Sequence, residues 1–130
     1  MREENIALMK RGFEAFAKAD LDTIRAMSAP DCVWLTPGTA QMKPEYKGID
    51  DVVGYLTSLV TLTDGTFRTE PESFTADDRN RVYVLEHITG ERLGRTLDTH
   101  VIHVFEVEFD KVVRTTEYAS EPKKLEEFWS

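Results

Sequence analysis

Cysteine is nearly absent: Cys32 stands alone in 130 residues. It cannot close an intrachain disulfide, so a reducing setting, the cytoplasm, is expected. Basic residues are the minority, 16 Lys and Arg against 24 Asp and Glu, for a formal net charge of −8. Nucleic acid and anionic membranes bind basic surfaces, and the largest basic cluster is Lys123-Lys124 after Pro122. Neither is expected as a partner. No apolar run approaches the roughly 20 residues needed to cross a bilayer. The opening Met1 to Asn5 carries two glutamates and leads into an amphipathic segment, unlike a signal peptide.

Phosphate-binding glycine motifs are also missing. Gly90 and Gly94 bracket a hairpin turn with no helix after it, so no nucleotide, flavin or nicotinamide cofactor is expected. Only three histidines occur. His100 and His103 are three apart in a strand, which puts their rings on opposite faces, and His87 has no Cys- or His-rich motif around it. No metal site is expected. Cys32, in an apolar strand, reads as a small core residue.

What remains is the composition of a globular protein, 41% hydrophobic and 31% charged, long enough for one domain spanning residues 1–130. Ile6, Met9, Phe13, Phe16 and Ala17 follow helical spacing over residues 3–19. Asp20 caps a second helix carrying Leu21, Ile24 and Met27, which Pro30 stops. Residues 32–36 read as a strand and 38–48 as a loop. A third helix opens with Asp50 as its cap, buries Val53, Leu56, Leu59 and Val60, and ends at Asp64-Gly65. The period then changes from 3.6 to 2, with strands expected over 66–76, 80–90, 96–109 and 112–119. Ser120 caps a short last helix bearing Leu125, Phe128 and Trp129. Such an order predicts an α+β domain with a mostly antiparallel sheet and helices on one face.

The strand from Leu97 to Phe109 alternates almost perfectly. One side reads Leu97, Thr99, Val101, His103, Phe105, Val107, Phe109 and is the expected buried face. His103 is an ionisable group in the middle of it. If Phe109-Asp110-Lys111 forms the next turn, Val113, Thr115, Glu117 and Ala119 face inward, with Glu117 opposite His103. If Gly94-Arg95 is the preceding two-residue turn, Glu86 falls opposite His103, with Val82, Val84 and Ile88 inside. If that turn centres near Arg92, His87 faces inward instead.

The order of elements resembles the nuclear transport factor 2-like superfamily, and within it the SnoaL-like and ketosteroid-isomerase-like proteins. The matching stretches are Asp31 to Gly38, Tyr46 to Val52 and Asp110 to Tyr118. The resemblance covers nearly the whole chain. It implies a cone-shaped curved sheet wrapped around the N-terminal helices, a cystatin-like α+β roll, with an apolar pocket at its mouth and a dimer surface on the outer sheet face. Ile102 and Val104 fit that surface. The isomerases' catalytic aspartate falls at Thr36, which cannot act as a carboxylate base, and their oxyanion-hole acid falls at His103, two residues before Phe105.

His103 is therefore the candidate group to give or take a proton, with Glu117 or Glu86 orienting it. Trp34, Thr36, Phe13, Phe16, Tyr55, Thr115 and Phe105 are the candidate lining for a small apolar molecule. Tyr46 could cover the pocket mouth. Two functional classes stay open. One is a cofactor-independent isomerase, cyclase or hydrolase; the other is a non-catalytic dimeric module binding a ligand or a partner, with His103 and a glutamate satisfying each other.

Overall fold

The computed structural model describes residues 1–130. Four helices and six strands follow in the order α1 (Arg2–Ala17), α2 (Leu21–Ala26), β1 (Ser28–Leu35), β2 (Glu45–Lys47), α3 (Ile49–Thr61), β3 (Arg68–Ala76), β4 (Arg81–Arg92), β5 (Arg95–Glu108), β6 (Lys111–Ala119) and α4 (Pro122–Phe128). None of the helices is long and apolar enough to cross a membrane.

Local chemistry explains the helix ends, with some departures from expectation. Asp20 caps α2 by accepting a hydrogen bond from the Thr23 amide at 3.1 Å. The helix stops at Ala26, before Pro30 is reached; Pro30 lies inside β1. Gly48, not Asp50, caps α3, because its φ of 85° suits a residue without Cβ. Asp50 sits in the first helical turn, where acids suit the dipole, and accepts from Arg25 at 2.7 Å. In α3, Val52, Val53, Tyr55, Leu56 and Leu59 are buried, while Val60, expected inside, is exposed. Glu121 rather than Ser120 precedes α4; the Ser120 hydroxyl donates to the His100 carbonyl instead. The expected loop at 38–48 contains the short edge strand β2.

All six strands form one curved, open sheet in the order β2-β1-β6-β5-β4-β3. Every pairing is antiparallel except that of β1 with β6. The α1 helix packs against β3 and β4, and α3 against β1 and β2, so the concave face is covered. Two buried apolar clusters fill the interior, and Trp34 packs against both.

Two turns differ from expectation in ways that matter for the site. The β4–β5 turn is Leu93-Gly94, with Arg92 opposite Arg95, so His103 faces Val84 and Glu86 faces Val101. The register is two residues from the expected one. A two-residue slip preserves which face each side chain occupies, so Glu86, Val82, Val84 and Ile88 still point inward. His87 lies on the other face, paired with His100.

The β5–β6 turn is also two residues, Phe109-Asp110, both with positive φ (50° and 61°). The odd residue expected in the loop appears instead as an irregularity after Val112, where Val107 pairs with Val112 but Glu106 with Arg114. That bulge buries Val112, expected outside, and still puts Glu117 opposite His103. Phe109, expected on the buried face, is instead 97% exposed at the tip of the turn.

Candidate functional site

Three adjacent strands carry the ionisable centre. Alternation along β4, β5 and β6 turns Glu86, His103 and Glu117 toward the concave face, where the helices exclude water. His103 Nδ1 bonds Glu86 Oε2, and its Nε2 bonds Glu117 Oε1 at 3.0 Å. Thr69 on β3 donates its hydroxyl to Glu86 Oε1 at 2.7 Å. So both ring nitrogens of His103 and both oxygens of Glu86 are engaged. His103 and Glu86 are 7% and 2% exposed, which makes this network part of the interior.

Burial alone would lower the histidine's pKa. The Glu86 charge and the two carboxylate hydrogen bonds outweigh it, and the value is pushed up to about 10. His103 is thus an imidazolium between two carboxylates. Burial, together with the charges of Glu117, Tyr46 and Glu86, holds the Tyr55 hydroxyl protonated, well above its ordinary range. Burial and the neighbouring Asp31 push the Cys32 thiol up, away from the thiolate form a nucleophile needs.

A cavity opens beside this network, with ≈ 120 Å³ available to the centres of water-sized molecules. A single water needs only about 10–15 Å³ on that measure, so a small organic molecule fits. All ten residues named from the sequence border it: Phe13, Phe16, Trp34, Thr36, Tyr55, Glu86, His103, Phe105, Thr115 and Glu117. Aromatic rings make its walls. Trp34 packs edge-on to His103 at 5.2 Å between centroids, and lies 5.6 Å from Tyr55 and 6.1 Å from Phe105. The buried indole Nε1 of Trp34 has no hydrogen-bond partner.

The polar lining residues are not equally free. Thr36 donates to the Lys43 carbonyl at 2.7 Å and accepts from the Gly38 amide, so its hydroxyl holds the loop after β1. Tyr46 stacks on Tyr55 at 4.6 Å and accepts from the Lys43 amide. Its hydroxyl fastens the loop, and Tyr46 does not border the cavity. Thr69 was not singled out from the sequence. The signal was there in the inward parity of β3, but the strand's own register was not legible.

A SnoaL-like domain model matches residues 9–115. The chain belongs to this family. An uncharacterised protein of Mycobacterium tuberculosis, Rv0034, is 27% identical over 128 residues, 98% of each chain. Among solved structures, Bal32a from a soil-derived mobile gene cassette superposes with a TM-score of 0.95 at 27% identity, covering 98% of both chains. TerC, co-crystallised with polyporic acid, superposes at 0.81 with 20% identity, over 97% of this chain and 98% of that one. Nuclear transport factor 2-like proteins are also among the fold neighbours of this SnoaL-like chain.

Proposed function

We propose that this SnoaL-like protein is a cofactor-independent enzyme that moves a proton on a small, largely apolar molecule held in the cone, with Glu117 as the acceptor. The observation that carries this reading is the closure of His103. With both its nitrogens taken by carboxylates, the imidazole has no lone pair to offer a ligand. Glu86 is likewise spent on His103 and Thr69. Glu117 uses one oxygen on His103 and borders the cavity, which leaves its second oxygen for a ligand.

Charge supports the same assignment. Two carboxylates and one imidazolium sum to −1 in a poorly solvated place. A proton taken from the substrate onto Glu117 would bring that sum to zero. The reaction class that fits is abstraction of a proton from carbon beside a carbonyl. The C–H electrons pass into the carbonyl, and charge develops on its oxygen. The unpartnered Trp34 N–H and the protonated Tyr55 hydroxyl are the donors available to meet that oxygen. TerC, which shares this fold, was co-crystallised with polyporic acid, a small organic molecule.

The test is exchange in heavy water. A panel of small carbonyl and phenolic compounds is first screened by thermal shift, where a ligand at 100 times its dissociation constant adds roughly 2.7 kcal/mol. For each binder, NMR follows deuterium entering beside the carbonyl. Exchange by the wild type that Glu117→Gln abolishes without loss of binding supports the enzyme. Binding with no exchange in either protein supports instead a non-catalytic binding module, for which the closed network serves only to satisfy its own members.

A homodimer through the outer sheet face belongs to the same proposal. Ile102 and Tyr118 are 40% and 59% exposed there, side by side across the β5–β6 ladder. Sedimentation at ~100 µM should show dimers, and monomer alone would refute this part.

A further inference from the structure

We propose that Glu72, His87 and His100 form a site for a divalent transition-metal ion, of which zinc is the prototype, on the outer face of the sheet. This site lies across the sheet from the cavity and is independent of the Glu86–His103–Glu117 network. From sequence, His100 could be weighed only against His103, whose ring points the other way. The β4–β5 register supplies a different partner, for His87 and His100 are directly opposite each other.

Their rings stack at 4.8 Å between centroids and 17° between planes. Glu72 reaches them because β3 is irregular at this point. Pro71 pairs with Glu86 and Ser73 with Leu85, so Glu72 is the extra residue of a bulge. Bulges re-aim side chains, and this one turns Glu72 toward the two histidines. Its Oε1 lies 3.2 Å from His100 Nε2. Asp98 Oδ1 lies 2.6 Å from His87 Nε2 and adds a second carboxylate at the edge of the group.

One donor atom from each of Glu72, His87 and His100 falls within 4.8 Å of the others. Ligands about 2 Å from a tetrahedral zinc ion stand about 3.3 Å apart, so closing the group takes shifts of about 1 Å per side chain. These side chains are between 30% and 44% exposed, and rotations about their own bonds supply that movement. Two imidazoles and a carboxylate are a zinc donor set that leaves a fourth position open. The alternative is two separate surface pairs, His87 with Asp98 and His100 with Glu72. Pairs of that kind contribute little, and directly opposed cross-strand rings stack without an ion. What favours a shared ion is that the bulge brings a carboxylate onto two histidines already opposite each other, so that three donors from three strands converge and a turn of one ring aims both lone pairs at one point.

The test is a zinc titration of the tag-free protein by calorimetry, with metal content measured after dialysis. The expected result is one zinc per chain, weakened about tenfold or more in His100→Gln and in Glu72→Gln. Far-UV spectra should show both variants folded, since the positions are partly exposed. Glu117→Gln should bind zinc as the wild type does, which separates this site from the cavity. No saturable binding overturns the proposal. So does one-to-one binding of unchanged affinity in both His87→Gln and His100→Gln, because the ion would then lie elsewhere.

Discussion

Glu86 reaches His103 along a diagonal of the β4–β5 ladder. Its own cross-strand partner is Val101, while that of His103 is Val84, yet its carboxylate bonds the imidazole Nδ1. Diagonal neighbours on one sheet face lie within reach of long side chains. This geometry leaves His103 with carboxylates on both sides and fixes how each member of the network responds to change.

Removing His103 strands Glu86, whereas removing Glu86 leaves His103 still paired with Glu117. His103→Ala leaves the Glu86 carboxylate 2% exposed with only Thr69 as partner. Uncompensated buried charges of this sort cost about 3–5 kcal/mol. Urea unfolding should give a loss of that order for His103→Ala and a smaller one for Glu86→Ala, in which His103 keeps Glu117. Replacing both together, Glu86→Leu with His103→Leu, should cost less than His103→Ala, because the most deeply buried charge leaves with its partner and only Glu117, at the cavity, loses its counter-ion. A double variant less stable than both singles would contradict the pairing.

Stability should also fall with rising pH in a defined window. Unfolded, the imidazole ionises near 6.5; folded, at about 10. Below 6.5 both states hold the proton, and the ion pairs contribute in full. Between the two values, unfolding releases a proton, so stability drops by about 1 kcal/mol per pH unit as pH rises toward 10. The titratable groups facing the ring are Glu86 from β4 and Glu117 from β6. Melting curves between pH 7 and 9 should show this slope in the wild type and its absence in His103→Ala.

The β5–β6 turn is open to improvement. Phe109 holds a φ of 50° while 97% exposed, so it carries the cost of a left-handed backbone and buries nothing. Left-handed conformation costs a side-chain-bearing residue roughly 1–2 kcal/mol, and asparagine tolerates it better. Phe109→Asn should raise stability by up to about 1 kcal/mol in the same urea assay, with no change in ligand binding.

How far the sequence could be read follows from these same residues. Strand alternation is a parity signal, and parity survives a slip of two. Hence a Gly94-Arg95 turn puts Glu86 inside although it lies one residue past the actual turn, whereas a turn centred near Arg92 would put His87 there instead. The bulge after Val112 has no glycine to announce it, and Phe109 is not a usual residue for a positive-φ turn, so alternation alone predicts the wrong side for Val112 and for Phe109. Glu117 came out opposite His103 because one expected loop residue and one actual bulge residue have the same effect on parity. The outer group of Glu72, His87 and His100 was hidden for a related reason. It depends on the β4–β5 register and a β3 bulge, neither of which composition or periodicity encodes.

The assignment of Glu117 as the cavity's proton acceptor rests on His103 being charged and closed at both nitrogens. The most direct measurement is the side-chain nitrogen NMR spectrum of His103 at pH 8, a pH at which an ordinary histidine is neutral. Both ring nitrogens should be protonated, with both N–H protons visible and protected from exchange, in the wild type. A neutral ring with one bare nitrogen would contradict this. It would make His103 itself the base and Glu117 its anchor.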